Sequence, residues 1–432
     1  MQVPARDVPV LAEADVVVAG GGPAGLGAAV AAARMGARTV LCERYGVLGG
    51  NFTVASVGTI CGLYVRDGGT FAPVVGGIAR EFPERLAAAG SGFGPIPFKE
   101  SAVFVYTPWA AKRLADHLVL DEDRLEVLLH SLVADVIVDD GALRALVLTT
   151  KQGPRAIAAR SFVDCTGDAD VAWFAGAETV VAPPDARQRA SMQFVMQHVD
   201  DEQGRAAIAT LADTIAAHGR HLSRDSGAVI PTLRPGEFIG AMTRVANPDG
   251  SAIDATDVRE MTAGEFEGRR RAEEAAVFLR TRVAGFADAF LADTAMQLGV
   301  RESRRVVGEF VLRGEDVVSG ARFDDAVAAG AWPQEYHTHG RSTEYRFLEP
   351  GRRYQIPFRS LLPAGVRNLF VAGRCISADH DALASTRVMA PSMALGQAAG
   401  TAAAIAARGG TDAGAVDVHE LQDALARAGA RW

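Results

Sequence analysis

The run Asp15–Glu43, DVVVAGGGPAGLGAAVAAARMGARTVLCE, decides the fold of this chain. Asp15–Ala19 is a short apolar strand, Gly20-Gly21-Gly22-Pro23-Ala24-Gly25 is a glycine turn, and Leu26–Met35 is alanine-rich with no helix breaker. Gly36 stands where a helix C-cap glycine belongs. Thr39–Cys42 is a second strand, which Glu43 ends. Strand, turn, helix and strand within about 30 residues make a complete βαβ unit. In Gly20-x-Gly22-x-x-Gly25 the first glycine permits the tight turn and the second lets the backbone approach a pyrophosphate. The third lets helix and strand pack closely. The helix N-terminus adds free N–H groups and a dipole that favours phosphate. Glu43, 18 residues after Gly25, is placed to accept hydrogen bonds from ribose hydroxyls. The spacing alone would fit a merely tight turn; the flanking strand, helix and terminal acid separate the two cases.

Outward from this unit, Arg44 precedes Leu48-Gly49-Gly50-Asn51-Phe52-Thr53. The glycine pair lets the backbone pass under an extended cofactor, and Asn51 and Thr53 can bond to its phosphates or ribityl chain. Val163–Asp168 is a strand ending in Gly167-Asp168, and Phe370–Arg374 is a strand closed by Gly373-Arg374 that reaches the same cofactor from the other end of the chain. Gly77–Ala89 and Pro108–Leu120 look helical. From Glu126 to Asp164 the period becomes that of strands, with turns at Asp139-Asp140-Gly141 and Gln152-Gly153-Pro154. Helical stretches follow at 207–218 and 257–283, a strand at Val306–Leu312, and a long helix from about Ser392 to Ala407. Asp417-x-x-Glu420 can cap the last helix. The pattern predicts an α/β fold: a Rossmann-like FAD-binding domain with an inserted antiparallel β-meander, and a separate α+β substrate (cap) domain. Residues 1–55, 105–178 and 351–432 are expected in the first, and 56–104 and 179–350 in the second.

These segments resemble a known family. The chain is similar to the FAD-dependent oxidoreductases of the glutathione-reductase-like superfamily, in the branch with fumarate reductase flavoproteins, thiazole synthases and the flavoprotein of heterodisulfide reductase. The broad FAD-dependent oxidoreductase family of bacterial genomes is nearest. The matching stretches are VVVAGGGPAGLGAAVAAARMGARTVLCERYGVLGGN, VDCTGDADV, RESRRVVGEFVL and NLFVAGRCISADHDALASTRVMAPSMALGQAAG, spread from end to end of the chain. The resemblance implies that Asp168 and Gly373 lie near the FAD phosphates and ribityl chain, and that Val133 contacts the adenine through its backbone. It also places Pro391–Gly396 beside the flavin ring. A helix starting near Pro391 would aim N–H groups such as those of Met393 and Ala394 at the flavin, favouring its anionic reduced form. Proline at a helix start is ordinary chemistry as well.

Two features of these relatives are missing. There is no cysteine cluster for iron–sulfur centres, which argues against an electron-bifurcating role. There is no second strand–GxGxxG–helix unit for NAD(P)H either; Gly90–Gly94 follows a helix and is expected to be a loop. The flavin is therefore expected to be reduced by the substrate or by a separate protein.

For the chemical step, Ser377–Arg387 lies between the last FAD strand and the helix at the flavin. His380 can take a proton from an alcohol or amine, and Arg387 can hold a carboxylate or stabilise an enolate. Equally, His380 can simply bond a neighbouring loop, and Arg387 can pair with Asp379 or Asp381. Arg304, in the run Arg301–Arg305, can face the substrate or sit in a solvated charged turn. His337, His339, Tyr345 and Tyr354 are candidates to line the pocket. The His337-x-His339 pair has no evident third ligand, so no metal is expected.

Composition bounds the rest. The 432 residues carry a net charge of −8, with 49% hydrophobic and 22% charged residues, which argues against nucleic-acid or anionic-membrane binding as a main role. Cys42, Cys61, Cys165 and Cys375 form no C-x-x-C pair, and no apolar run is long enough for a bilayer span of about 18 residues. Met1–Asp15 has no secretory apolar core, so a reduced, cytoplasmic protein is expected, with homo-oligomerisation left open. The first functional expectation is an oxidase or dehydrogenase passing hydride from a small polar metabolite (alcohol, amine or sugar-like) to flavin N5. Its electrons would go to O₂ or a separate electron carrier. Held beside it are a flavin-dependent reductase of an activated double bond, a flavin monooxygenase, and a non-catalytic FAD-binding scaffold.

Overall fold

Val16, Val17, Val18 and Ala19 have no solvent exposure at all. A strand buries both its faces in this way only between two covering layers, the usual place of a parallel strand. The computed structural model describes residues 7–338 and 340–432. Its main sheet is built on that run: β1 (Val10–Ala19), β2 (Thr39–Cys42), β3 (Leu125–Leu128), β4 (Leu132–Asp139), β5 (Ala142–Thr150), β6 (Gly153–Asp164) and β7 (Leu369–Val371). The parallel order is β3-β2-β1-β6-β7. The first half of β6 instead pairs antiparallel with β5, which pairs with β4. One long strand therefore joins the parallel sheet to the antiparallel meander that the sequence predicts.

Helix α1 (Pro23–Arg34) follows the glycine turn with Pro23 in its first turn, where a missing N–H has no consequence. It stops at Gly36, whose φ of +87° suits glycine, with Ala37 N–H donating back to Ala32 O at 3.1 Å. Near the C-terminus come the short helix α2 (His380–Thr386) and the long helix α3 (Met389–Gly409). Helices α1 and α3 cross almost backbone to backbone. A Cβ on Gly396 would stand 1.9 Å from Ala24 O, and one on Gly400 2.1 Å from Ala28 O. Small residues at this crossing set how deeply the chain's two ends interlock.

A second hydrophobic core lies between Ala190 and Leu298. It fills the space beside a four-stranded antiparallel sheet, in the order Ala228–Pro231, Phe238–Ala241, Phe194–Gln197, Phe290–Thr294. The 25-residue helix Val258–Arg282 contributes Ala272, Phe278 and Leu279 to it. Apolar residues of 60–104 and 306–348 join the first core instead.

Two local expectations need correction. Val306–Leu312 is not one strand: Arg305–Val306 pairs with Thr179–Val180, and Leu312 only bridges to Ala378. Gly90–Gly94 is not all loop, because Gly92–Phe98 is a strand pairing with Ser101–Tyr106. Its glycines serve close packing, since a Cβ on Gly92 would lie 2.4 Å from the Phe104 ring. Among the described residues no helix is long and apolar enough to cross a membrane.

Candidate active site

The parallel strands end level with one another, as Leu128, Cys42, Ala19, Asp164 and Val371 are successive register neighbours. Every loop leaving them opens on the same edge, the edge where such sheets bind ligands. A cleft runs along it. Its walls are Gly20, Gly22, Pro23 and Ala24 after β1; Glu43, Arg44 and Tyr45 after β2; and Ser131, Leu132 and Val133 at β4. Cys165–Gly167 follows β6 and Ala372–Arg374 follows β7, with Gly50 and Asn51 opposite and Arg387, Met389 and Ser392 at the far end. Gly25, Asp168, Met393 and Ala394 do not border it, although Asp168 borders an adjoining cavity.

The glycines divide by what surrounds them. A Cβ on Gly25 would lie 1.7 Å from Gly20 O, and one on Gly20, at φ +92°, 2.6 Å from Cys165 O. Those two hold the turn together. A Cβ on Gly22 would meet only Gly50 Cα, at 4.0 Å, so its neighbourhood is free space in the cleft. Gly50, at φ +48°, packs against Gly22 from the opposite wall. Glu43 is 7% exposed; its Oε2 accepts from Gly21 N–H at 2.7 Å and its Oε1 from Tyr45 N–H at 2.9 Å. That clamp fixes a carboxylate at the mouth of the turn. An uncluttered glycine backbone, a helix N-terminus, a fixed acid and a long cleft fit an extended dinucleotide such as FAD. Gly20, Gly22, Pro23, Ala24, Glu43, Arg44, Gly50, Asn51, Val133, Gly167, Gly373 and Arg374 border the cleft and are the residues that would hold it.

Beside the cleft lies a knot of charge. Asp168 accepts from the Ser303 hydroxyl at 2.6 Å and pairs with Arg374 at 3.0 Å. Arg304 donates through Nε to Asp168 O at 2.9 Å, pairs with Asp170, and covers the Trp173 ring at 5.0 Å. Arg304 does not border the cleft; Asp170 and Trp173 supply its acid and its aromatic face. Asp170 itself borders the cleft. Burial, then Asp168 and Asp164, push its carboxyl up to about 6 against Arg304 and Arg44. The neutral form thus contributes stability below the ordinary value of 3.8 that is lost as pH rises through about 6. Above that, Asp170 opposes an anionic ligand in the cleft. Affinity for FAD is expected to fall roughly tenfold between about pH 5 and about pH 8, and Asp170→Asn to flatten that profile, as read by equilibrium dialysis.

At the other end, Arg387 follows α2 and borders the cleft. Its Nη2 donates to Glu335 O at 3.3 Å and stands 3.8 Å from the Glu335 carboxylate. Glu335 Oε1 faces His337 Nε2 at 3.0 Å and accepts from Tyr345 O–H at 3.2 Å, while Oε2 accepts from Trp332 Nε1 at 3.2 Å. His337 Nδ1 meets Arg244 Nη2 at 3.1 Å, so the ring accepts there and donates from Nε2. Burial and the Arg301 charge hold His337 neutral, well below its ordinary range. Burial works against the Glu335 carboxylate, but His337, Arg387 and Arg301 outweigh it and keep it well below its ordinary value. Burial pushes the Tyr345 phenol up, so it stays a donor. His339 lies outside the described residues, and Tyr354 is wholly buried on Ser385 at 2.7 Å.

His380 is not at the cleft. It opens α2, seven residues before Arg387 and thus about 10 Å away along the helix axis, and its Nδ1 contacts Glu302 at 3.0 Å. The buried Glu302, already paired with Arg305, draws it inward. The amides expected from Met393 and Ala394 also lie elsewhere. Helix α3 starts at Met389, and Ser392 N–H already donates to Val388 O at 3.1 Å, so Met393 is past the first turn. Met389 and Ser392 meet the cleft in their place.

Tyr45, Ser131, Thr166, Asp170, Gln297 and Glu335 were not singled out in the sequence. Only Asp170 carried a local signal, an acid in the first turn of the helix after Gly167-Asp168. Gln297, next to Leu298 of the second core, meets Tyr45 and, at 3.3 Å, Arg44, a contact across more than 250 residues.

A family model described as FAD dependent oxidoreductase matches residues 15–425. No curated protein matches the sequence. Among solved structures, a geranylgeranyl bacteriochlorophyll reductase-like protein from Thermoplasma acidophilum is 14% identical, with a TM-score of 0.48 over 96% of this chain and 84% of that one. The flavin-dependent brominase Bmp2 is 15% identical, at 0.46 over 95% and 83%. BexE, studied for oxidation during BE-7585A biosynthesis, is 16% identical, at 0.49 over 92% of this chain and 63% of its own.

Proposed function

This chain belongs to the family of FAD-dependent oxidoreductases, and from that premise we propose that it is an oxidase or dehydrogenase taking hydride from a small polar metabolite, an alcohol, amine or sugar-like compound. Its electrons would leave to O₂ or to a separate electron carrier. Bound FAD supplies the two-electron acceptor. The observation that carries the proposal is the far end of the cleft, where Arg387 joins the glycine-lined channel to a chamber of hydrogen-bond donors. Glu43 and Gly20–Ala24 would fix the nucleotide half, leaving Arg387, Met389 and Ser392 around the reacting end. The Arg387 guanidinium would hold and orient a substrate hydroxyl at that end. Trp332, 2% exposed, helps keep bulk water out.

A second activity, reduction of a double bond conjugated to a carboxylate, draws support from the same Arg387, which would stabilise an enolate. Anaerobic addition of candidate alcohols and amines to the yellow holoenzyme separates the two. Loss of the ~450 nm flavin band, reversed by air, is the outcome expected of an oxidase. A protein that no alcohol or amine bleaches, but whose dithionite-reduced form is reoxidised by fumarate, overturns the first proposal in favour of the second. Bleaching by NAD(P)H alone would point to a monooxygenase instead.

A further inference from the structure

The chamber at Arg387 holds more positive charge than its acids balance. Arg224, Arg301 and Arg387 all sense Glu335, whose carboxylate stands 3.8 Å from Arg387 Nη2. Glu335 is already engaged by His337, Tyr345 and Trp332. The next acids are spent or screened: Glu302 serves Arg305 and His380, and Asp225 is exposed to water. The arginines disturb one another in consequence. Burial first, then Arg387, with Arg224 and Arg244 adding to it, bring the Arg301 guanidinium down to about 9. Lys99 adds a further cation, 3.8 Å over the Tyr345 ring.

Their hydrogen-bonding capacity is also unspent. Among the described residues, Arg301 bonds only through Nη1, to Arg189 O at 2.8 Å and the Ser191 hydroxyl at 2.9 Å. Arg387 bonds only through Nη2, and the Nε atoms of Arg387 and Arg224 are buried without a partner. Buried guanidinium groups are ordinarily paired and saturated, since desolvating an unpaired charge is severely unfavourable. Planar forks with unspent N–H groups match the paired oxygens of a carboxylate or phosphate, and Arg387 borders the cleft.

We propose that the substrate carries an oxyanion group, a carboxylate or a phosphate, which Arg301 and Arg387 bind in this chamber with Arg224 behind them. This rests on the proposal that the Arg387 end of the cleft is the substrate end. It narrows a polar metabolite to an anionic one, and the anion completes the charge balance of the wall.

The test is to titrate succinate, inorganic phosphate and neutral succinamide into the protein with and without FAD, following Tm in both forms and the flavin band in the holoenzyme. Succinate or phosphate is expected to raise Tm and perturb the band, and the tighter of the two identifies the group; succinamide should do neither. Arg301→Gln should weaken that anion at least about tenfold, and Glu335→Gln, which removes the competing charge, should tighten it. If Arg301→Gln does not fold, the sign of the Glu335→Gln effect decides. No Tm shift with either anion, or no change in either variant, overturns the proposal. A Tm shift that leaves the flavin band untouched places the anion away from the reacting end and contradicts it too. Failure to bind FAD, with anion binding intact in the FAD-free protein, would sink the flavin-site assignment and leave the anion site standing.

Discussion

Gly22→Val is expected to give a folded, soluble protein that no longer retains FAD. A Cβ at this position meets only Gly50 Cα, at 4.0 Å, and the residue's φ of −72° is open to any side chain. The fold can therefore accept valine, whose branches would fill the part of the cleft that an extended cofactor must cross. The loss in affinity should be at least about a hundredfold, roughly 3 kcal/mol. Gly25→Val makes the contrast, because its Cβ would lie 1.7 Å from Gly20 O and the βαβ turn could not close. The first variant should purify colourless with a cooperative melt, and the second should be insoluble. A Gly22→Val protein as yellow as the wild type would show that the cofactor does not pass this glycine.

Glu302→Ala is expected to fold but to lose much of its stability. The carboxylate is 1% exposed, pairs with Arg305 and with His380 at 3.0 Å, and accepts from Gln188 N–H at 2.9 Å. Removing it strands the Arg305 guanidinium, whose side chain is 4% exposed, at a loss of about 3–5 kcal/mol. The pH dependence has a definite sign. Burial pushes the Glu302 carboxyl up, but His380 and Arg305 outweigh it, so its folded value lies below the ordinary 4.5. Its contribution is present above 4.5 and fades as pH falls through the lowered value. The Tm gap between wild type and variant should therefore be wide at neutral pH and narrow in acid. A gap independent of pH would mean that the carboxylate's charge is not what stabilises the site.

The glycine turn and the acid that clamps it were legible because their signals are local. The Gly20–Gly25 spacing, the apolar run before it and the acid after β2 lie within one βαβ unit. The meander was equally legible, since period-two alternation and two glycine turns bound β4 and β5. The Arg387 end was legible only in part. Arg387 and Tyr345 stand out by their place in the chain, but Glu335, which joins them, comes from a separate stretch that meets them only through packing, and no spacing announces it. His380 shows the limit from the other side. It stands close to Arg387 in sequence, but a two-turn helix carries the two to opposite ends, and a buried acid 78 residues away fixes the ring. Helix α3 began a turn early for a similar reason: Val388 can serve as its N-cap although its side chain offers no cap hydrogen bond.

The most direct measurement is the visible spectrum and flavin content of the purified full-length protein, before and after incubation with FAD. A yellow protein with one FAD per chain, absorbing near ~450 nm, is the predicted result. A colourless protein that takes up no added FAD would contradict the assignment of the cleft.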